Sequence, residues 1–233
     1  MAMEPILAMT AAEMRNISEI PPRIAWMACH FSPYGLGLSN LPKGLPPGSL
    51  LILDDCTPPG RHDPELVAEQ LTQCAETLEC CGILLDFQRP GNDETANLTA
   101  CLIQTSFPCS VCISEIYSQN TTNPVFLPPC PHHRSLQEYI APWHGREIWL
   151  DLAVDAETIT LTESGATITP FPLGEIPESG FPEPKLHCHY SIETNSDSAR
   201  FTLWRAREDL KALMQEAQSL GIQTFVSLFQ EWQ

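Results

Sequence analysis

A chain of 233 residues is long enough for one large α/β domain, and a single barrel of this size is ordinary. Twelve lysines and arginines stand against twenty-nine aspartates and glutamates, and the formal charge of −17 repels phosphate backbones and anionic lipid headgroups. Nucleic-acid and membrane-surface partners are therefore disfavoured, and the expected partner is a small molecule; the sequence says nothing of oligomeric state.

The N-terminal stretch "MAMEPILAMTAAEMRNISEI" has no basic region followed by a continuous apolar core, and no segment approaches the length that spans a bilayer. Ten cysteines lie mostly in apolar or helical runs, among them Cys29, Cys74, Cys101, Cys112 and Cys188, and read as small buried hydrophobes rather than disulfide staples. Both features predict a reducing cytoplasm, or secretion if an export signal was removed.

In chain order, short apolar runs at 23–30, 49–55, 82–88, 109–116, 146–154, 186–192 and 223–229 read as strands, with "PVFLPP" at 124–129 as a short eighth. Helical patterns separate many of them. Residues 63–81 open with Asp63 as N-cap and Pro64 in the first turn, and then place Leu66, Val67, Leu71, Cys74 and Leu78 on one face. Shorter helices are predicted at 92–106 and 135–143, and a longer one at 207–221, which Gly221 ends. Strands alternating with helices are the sequence form of βα units, so the fold class is α/β, a somewhat reduced (β/α)8-type barrel. The segments at 31–50 and 155–185 break the rhythm with Pro and Gly. The second alternates like a hairpin before a Pro-rich loop, and both are expected as insertions in one barrel domain spanning 1–233.

The strand "GILLDFQ" ends an apolar run on Asp86 and Gln88, where chemistry sits in a parallel barrel. Its frame, "ECCGILLDFQRPGNDETANLTACLIQ", resembles the chitinase-like glycoside hydrolase family 18 barrel, whose hallmark strand reads Asp-Gly-x-Asp-x-Asp-x-Glu. On that pattern the first Asp falls on Cys81, the second on Leu84, the third on Asp86 and the catalytic Glu on Gln88. Further on, Leu150 and Asp151 stand at the family's Tyr-Asp pair. Trp204, Asp209, Leu210, Lys211 and Gly221 fit its closing helix, and Phe229 replaces its last tryptophan. The pattern covers roughly two thirds of the chain, with one strand missing or shortened near the front.

The resemblance implies a barrel whose Glu protonates the glycosidic oxygen while the substrate's acetamido group attacks. A glutamine donates a hydrogen bond but transfers no proton, and Leu84 removes the acid that orients the acetamido group. The expectation is a catalytically degenerate barrel, without cofactor, binding a carbohydrate or cell-wall-related ligand through Tyr34, Asp86, Gln88, Trp149, Asp151 and Phe229, with Tyr190 as a further candidate. The alternatives are an active hydrolase with relocated carboxylates, drawn from Asp86, Glu115 and Asp151, or a non-catalytic interaction barrel whose mouth the Pro-rich segments fill.

Acidic residues recur at strand ends as Asp54, Asp55, Asp86, Glu115, Asp151 and Glu193, and barrel sites are built from such ends; water-exposed strand ends also carry charge without function. Cys109, Cys112, Cys130, His132, His133, His187, Cys188 and His189 supply soft donors in zinc-like variety, but alternation along strands splits neighbours between faces, so no metal is expected. Cys29 and His30 are adjacent on a strand and point apart, so they form no nucleophile–base dyad.

Overall fold

The structure, a computed structural model, describes residues 4–56, 62–91 and 93–232. In chain order its elements begin with β1 (Ile6–Met9), α1 (Ala11–Asn16), β2 (Ile24–Phe31), β3 (Leu38–Ser39), β4 (Leu50–Asp54), α2 (Pro64–Thr77), β5 (Gly82–Asp86) and α3 (Asp93–Gln104). They continue with β6 (Ser110–Ser114), β7 (Val125–Leu127), α4 (Leu136–Ile140) and β8 (Ile148–Leu152). An antiparallel set follows: β9 (Ala156–Thr162), β10 (Gly165–Pro170), β11 (Phe181–Glu183), β12 (Cys188–Thr194) and β13 (Ser198–Trp204). The chain closes with α5 (Arg207–Ser219), β14 (Thr224–Leu228) and α6 (Phe229–Trp232).

Among the described residues, eight strands pair in parallel in the order β1-β14-β8-β7-β6-β5-β4-β2, and β1 also pairs with β2, so the sheet closes into a (β/α)8-type barrel. The short β3 adds antiparallel to β2 outside the ring. The barrel strand not read from sequence is β1, whose four residues lie within the N-terminal stretch.

Local chemistry sets the helices. Asp63 accepts from the backbone N–H groups of Glu65 and Leu66 at 3.0 and 3.4 Å, and Pro64 has no N–H to leave unpaired, so α2 starts there. The helix lays Val67, Leu71 and Cys74 against the outward faces of β4 and β5. Thr10 and Glu13 cap α1 reciprocally.

Apart from one irregularity in β2, every second residue of the parallel strands points into the barrel. Ile6, Ala8, Ala25, Leu50, Ile52, Leu84, Cys112, Phe126, Trp149 and Val226 pack there as one cluster, a filled core and not a pore. Gly82 matches this filling, because a Cβ at that position would lie 2.5 Å from Trp149 Cη2.

One strand assignment is corrected. Residues 186–192, read as a barrel strand, contain the start of β12, which pairs antiparallel with β11 and β13 in a separate five-stranded sheet of order β10-β9-β13-β12-β11. The reason is visible in its residues: Cys188, Tyr190 and Ile192 alternate with His189, Ser191 and Glu193, the pattern of a half-exposed antiparallel strand, whereas buried parallel strands are apolar throughout. The hairpin of β9 and β10 belongs to the same sheet, which extends to Trp204. No helix among the described residues is long and apolar enough to cross a membrane.

Candidate functional site

Strand parity builds the site. On β5 the inward positions are Gly82, Leu84 and Asp86, and on β8 they are Trp149 and Asp151, so both aspartates end their strands facing the C-terminal mouth. Asp86, Gln88, Glu115 and Asp151 line one cavity of about 370 Å³, together with Ser114 and an apolar wall that includes Phe126, Pro128 and Pro129. Among the described residues, no lysine or arginine lines it.

The loop after β5 is pinned from several sides. The Asp55 carboxylate, itself buried, accepts the backbone N–H of Gln88 at Oδ1 and that of Arg89 at Oδ2, both at 3.0 Å. The Ser114 hydroxyl donates to the Phe87 carbonyl at 2.6 Å, and the Tyr117 hydroxyl donates to the Arg89 carbonyl. The Gln88 side chain is thereby set to donate from Nε2 to Asp86 Oδ1 at 3.0 Å.

These carboxyls are crowded and partly dry. Burial pushes the Asp151 carboxyl up to about 7, and the like charges of Asp86, Glu231 and Asp155 add to the effect against a backbone hydrogen bond at Leu152. Burial also raises Asp86; the Gln88 amide opposes that rise, while Asp54 and Asp55 reinforce it. Glu115 is raised by burial. The arrangement holds acceptor oxygens beside a carboxyl that is partly protonated near neutrality, so it offers both hydrogen-bond acceptance and an acid.

The other expected contacts lie elsewhere. Tyr34 is 98 % exposed in the loop between β2 and β3 and does not line the cavity. Trp149 is 3 % exposed in the barrel core, its indole against Gly82 and its Nε1 donating to Glu147 Oε1 at 2.8 Å, near the N-terminal ends of the strands. It has the inward parity of Asp151 but lies one layer below. Phe229 opens α6 and packs against the cluster between barrel and helices, not into the barrel interior. Tyr190 is on the antiparallel sheet, its ring 5.6 Å from that of Phe181.

No three His, Cys, Asp or Glu side chains among the described residues gather as metal ligands. His187 and His189 both meet carboxylates of α5, Glu216 at 2.5 Å and Asp209 at 3.0 Å. Cys112 fills the barrel core, and Cys109 packs outside it. Sequence reasoning missed Asp55 as a loop anchor and Glu231 as a neighbour of Asp151. The strand-end position of Asp55 was the available signal; Glu231 had none.

No protein-family model matches the sequence, and no curated protein matches it. Solved structures do resemble it. The spore cortex-lytic enzyme SleL of Bacillus cereus is 10% identical with a TM-score of 0.54, over 98% of this chain and 72% of that one. The SleL enzyme of Bacillus megaterium QM B1551 is 11% identical with a TM-score of 0.42, over 79% of this chain and 58% of that one. The C-terminal domain of a protein named as a chitinase, from Desulfitobacterium hafniense DCB-2, is 10% identical with a TM-score of 0.45, over 79% of this chain and 74% of that one. At 10% identity the likeness to the Bacillus cereus enzyme is one of fold.

Proposed function

We propose that the mouth of the barrel binds a carbohydrate of the kind found in cell walls and does not hydrolyse it by the route the resembled family uses. The observation that carries this reading is the cavity at the strand ends, where Asp86, Gln88, Glu115 and Asp151 present hydrogen-bonding groups beside Phe126 and two prolines. Polar groups placed at one side of an apolar wall suit a sugar ring, whose hydroxyls need partners and whose C–H face needs cover. The fold shared with the Bacillus cereus enzyme supports the ligand class. A cavity at the mouth favours this reading over an interaction barrel closed by its insertions.

Gln88 has no proton to transfer, and Leu84 is sealed in the barrel core at 1 % exposure. The Gln88→Glu variant is expected to stay inactive on N-acetylglucosamine oligosaccharides, since it adds a carboxylate beside Asp86 and leaves Leu84 unchanged. Product analysis by mass spectrometry after long incubation checks this.

A second reading, an active hydrolase with relocated carboxylates, is favoured by Asp151. Burial pushes this carboxyl up to about 7, where it can give a proton near neutral pH, and the carboxyls of Asp86 and Glu115 line the same cavity. Calorimetric titration with N-acetylglucosamine oligosaccharides, followed by product analysis, separates the two. Binding without cleavage supports the first reading; wild-type cleavage that disappears in Asp86→Asn, Glu115→Gln or Asp151→Asn supports the second. Neither binding nor cleavage would reject both.

A further inference from the structure

On β2 the register against β4 slips between Trp26 and Cys29, so that Ala25 and Trp26 pair with Leu50 and Leu51, but Cys29 pairs with Leu53. Two residues, Met27 and Ala28, therefore stand opposite Ile52 alone. Such a bulge changes the parity of everything after it. Before it, Ala25 and Met27 pack with the barrel interior; after it, Cys29 and Phe31 join the outer cluster and His30 turns inward. Without the extra residue, Cys29 would face the mouth and His30 the helices.

The re-aimed imidazole meets a partner on the next strand. His30 Nδ1 lies 2.9 Å from Asp54 Oδ2, with the side chains 31% and 13% exposed. This nitrogen is sealed from solvent, and its direction departs from the carboxylate line, so the contact is electrostatic and not an aligned hydrogen bond. The Asp54 carboxylate is itself fixed, since Oδ1 accepts the Cys56 N–H at 2.9 Å. Asp54 is also the register partner of Asp86 on β5, which lines the cavity. The Nε2 edge of His30 has no hydrogen-bond partner among the described residues.

The rim of the mouth thus runs His30, Asp54, Asp86, Ser114 and Asp151 along consecutive inward strand ends of β2, β4, β5, β6 and, past β7, β8. We infer that the ligand site extends from the cavity across this rim and that His30 is a ligand-contacting residue, its Nε2 edge bonding a sugar hydroxyl while Asp54 holds the ring. The inference rests on the carbohydrate reading above and narrows it. A rim of carboxylates with one imidazole wants hydrogen-bond donors from its ligand, and no lysine or arginine among the described residues lines the cavity to favour an anion. The ligand class is therefore a neutral, hydroxyl-rich sugar, and the like charge of these carboxylates disfavours a uronate or phosphorylated sugar.

Two measurements test it, both with the neutral N-acetylglucosamine trisaccharide as probe. In the first, diethyl pyrocarbonate labels the imidazoles of the wild-type protein with and without the probe, and peptide mapping reads each histidine. The probe is expected to protect His30 and to leave the exposed His144, outside the mouth, labelled as before. In the second, titration calorimetry compares wild type with His30→Ala and with His144→Ala as control. His30→Ala is expected to bind about tenfold more weakly, the size of one lost hydrogen bond, and the control is expected to bind as wild type. If the wild type binds the probe while His30 labelling and the His30→Ala affinity are unchanged, the role of His30 is refuted and the carbohydrate reading survives. If the wild type does not bind, both fall. Should His30→Ala fail to fold, the labelling of the wild-type protein decides the matter.

Discussion

At Asp151 the fold holds a carboxyl in a place that water would not choose for it. Its folded pKa, pushed up to about 7, exceeds the 3.8 of a free aspartate, so between these values the folded state holds a proton that the unfolded state has released. The sign follows: this residue's contribution is most favourable below about pH 4 and is lost as pH rises toward 7. Asp151→Asn is expected to raise the melting temperature at pH 8 by several degrees and to change it little at pH 4, as scanning calorimetry at the two pH values would show. The same substitution is expected to weaken binding at the mouth, since strained, desolvated groups are kept for function at the expense of stability. Trp149 makes the contrasting case. It shares the parity of Asp151, but two residues of strand, about 6.6 Å, separate a ring in the core from a carboxyl at the mouth. Trp149→Ala is expected to cost about 3–5 kcal/mol in denaturant unfolding, through the cavity it leaves beside Gly82, and to spare affinity in whatever fraction stays folded. Asp86 and Asp151 were legible in the sequence because an acid ending an apolar run marks a strand end. The depth of Trp149 along its strand was not, because alternation gives the face and not the layer.

Among the elements, the loop after β5 depends on a residue from its neighbour. Asp55, just past β4, satisfies two backbone N–H groups that the parallel register brings alongside, and it is 3% exposed. Asp55→Ala would leave the N–H groups of Gln88 and Arg89 without that acceptor. The expected loss is about 2 kcal/mol of stability, together with weaker oligosaccharide binding because Gln88 and Asp86 lose their fixed relation. Asp63→Ala, which removes only the cap of α2, serves as the comparison: it should cost about 1 kcal/mol and leave binding unchanged. Urea unfolding paired with titration calorimetry reads both quantities. The helix start at Asp63 and Pro64 was readable because capping is local chemistry. The bulge in β2 was not, since Ile24 to Phe31 is a continuous apolar run but for His30, and the slip appears only in its register with β4. The four residues of β1 were similarly hidden, because a run so short takes its strand character from β14 and β2 on either side.

For the whole molecule the question is how a five-stranded antiparallel sheet stays fixed to a parallel barrel. Four histidines mark the seam: His132 and His133, after β7, meet Asp155 and Glu157 at 3.2 and 2.8 Å, while His187 and His189 meet Glu216 and Asp209 of α5. Between them Arg205, 1% exposed, donates to the Leu186 and His187 carbonyls from the sheet side, each at 3.1 Å. From the barrel side it reaches the Cys130 carbonyl and, at 3.4 Å, that of Pro131. A planar guanidinium can serve several carbonyls at once, which an ammonium cannot match in geometry. None of this was legible, because the sequence signals of a seam are single polar residues whose partners are dozens of positions away. Arg205→Met keeps much of the apolar stem but leaves these carbonyls without their donor. The expected cost is about 3 kcal/mol, a fall of roughly 6–12 °C in melting temperature for a chain of this size. If the arginine fastens sheet to barrel, the loss will be local before it is global. Hydrogen exchange should then quicken first in residues 186–192 and in the loop at 130–134, while β4 and β5 in the barrel keep their protection. Uniform loss across barrel and sheet would instead mean that the two unfold as one unit and that Arg205 belongs to a common core.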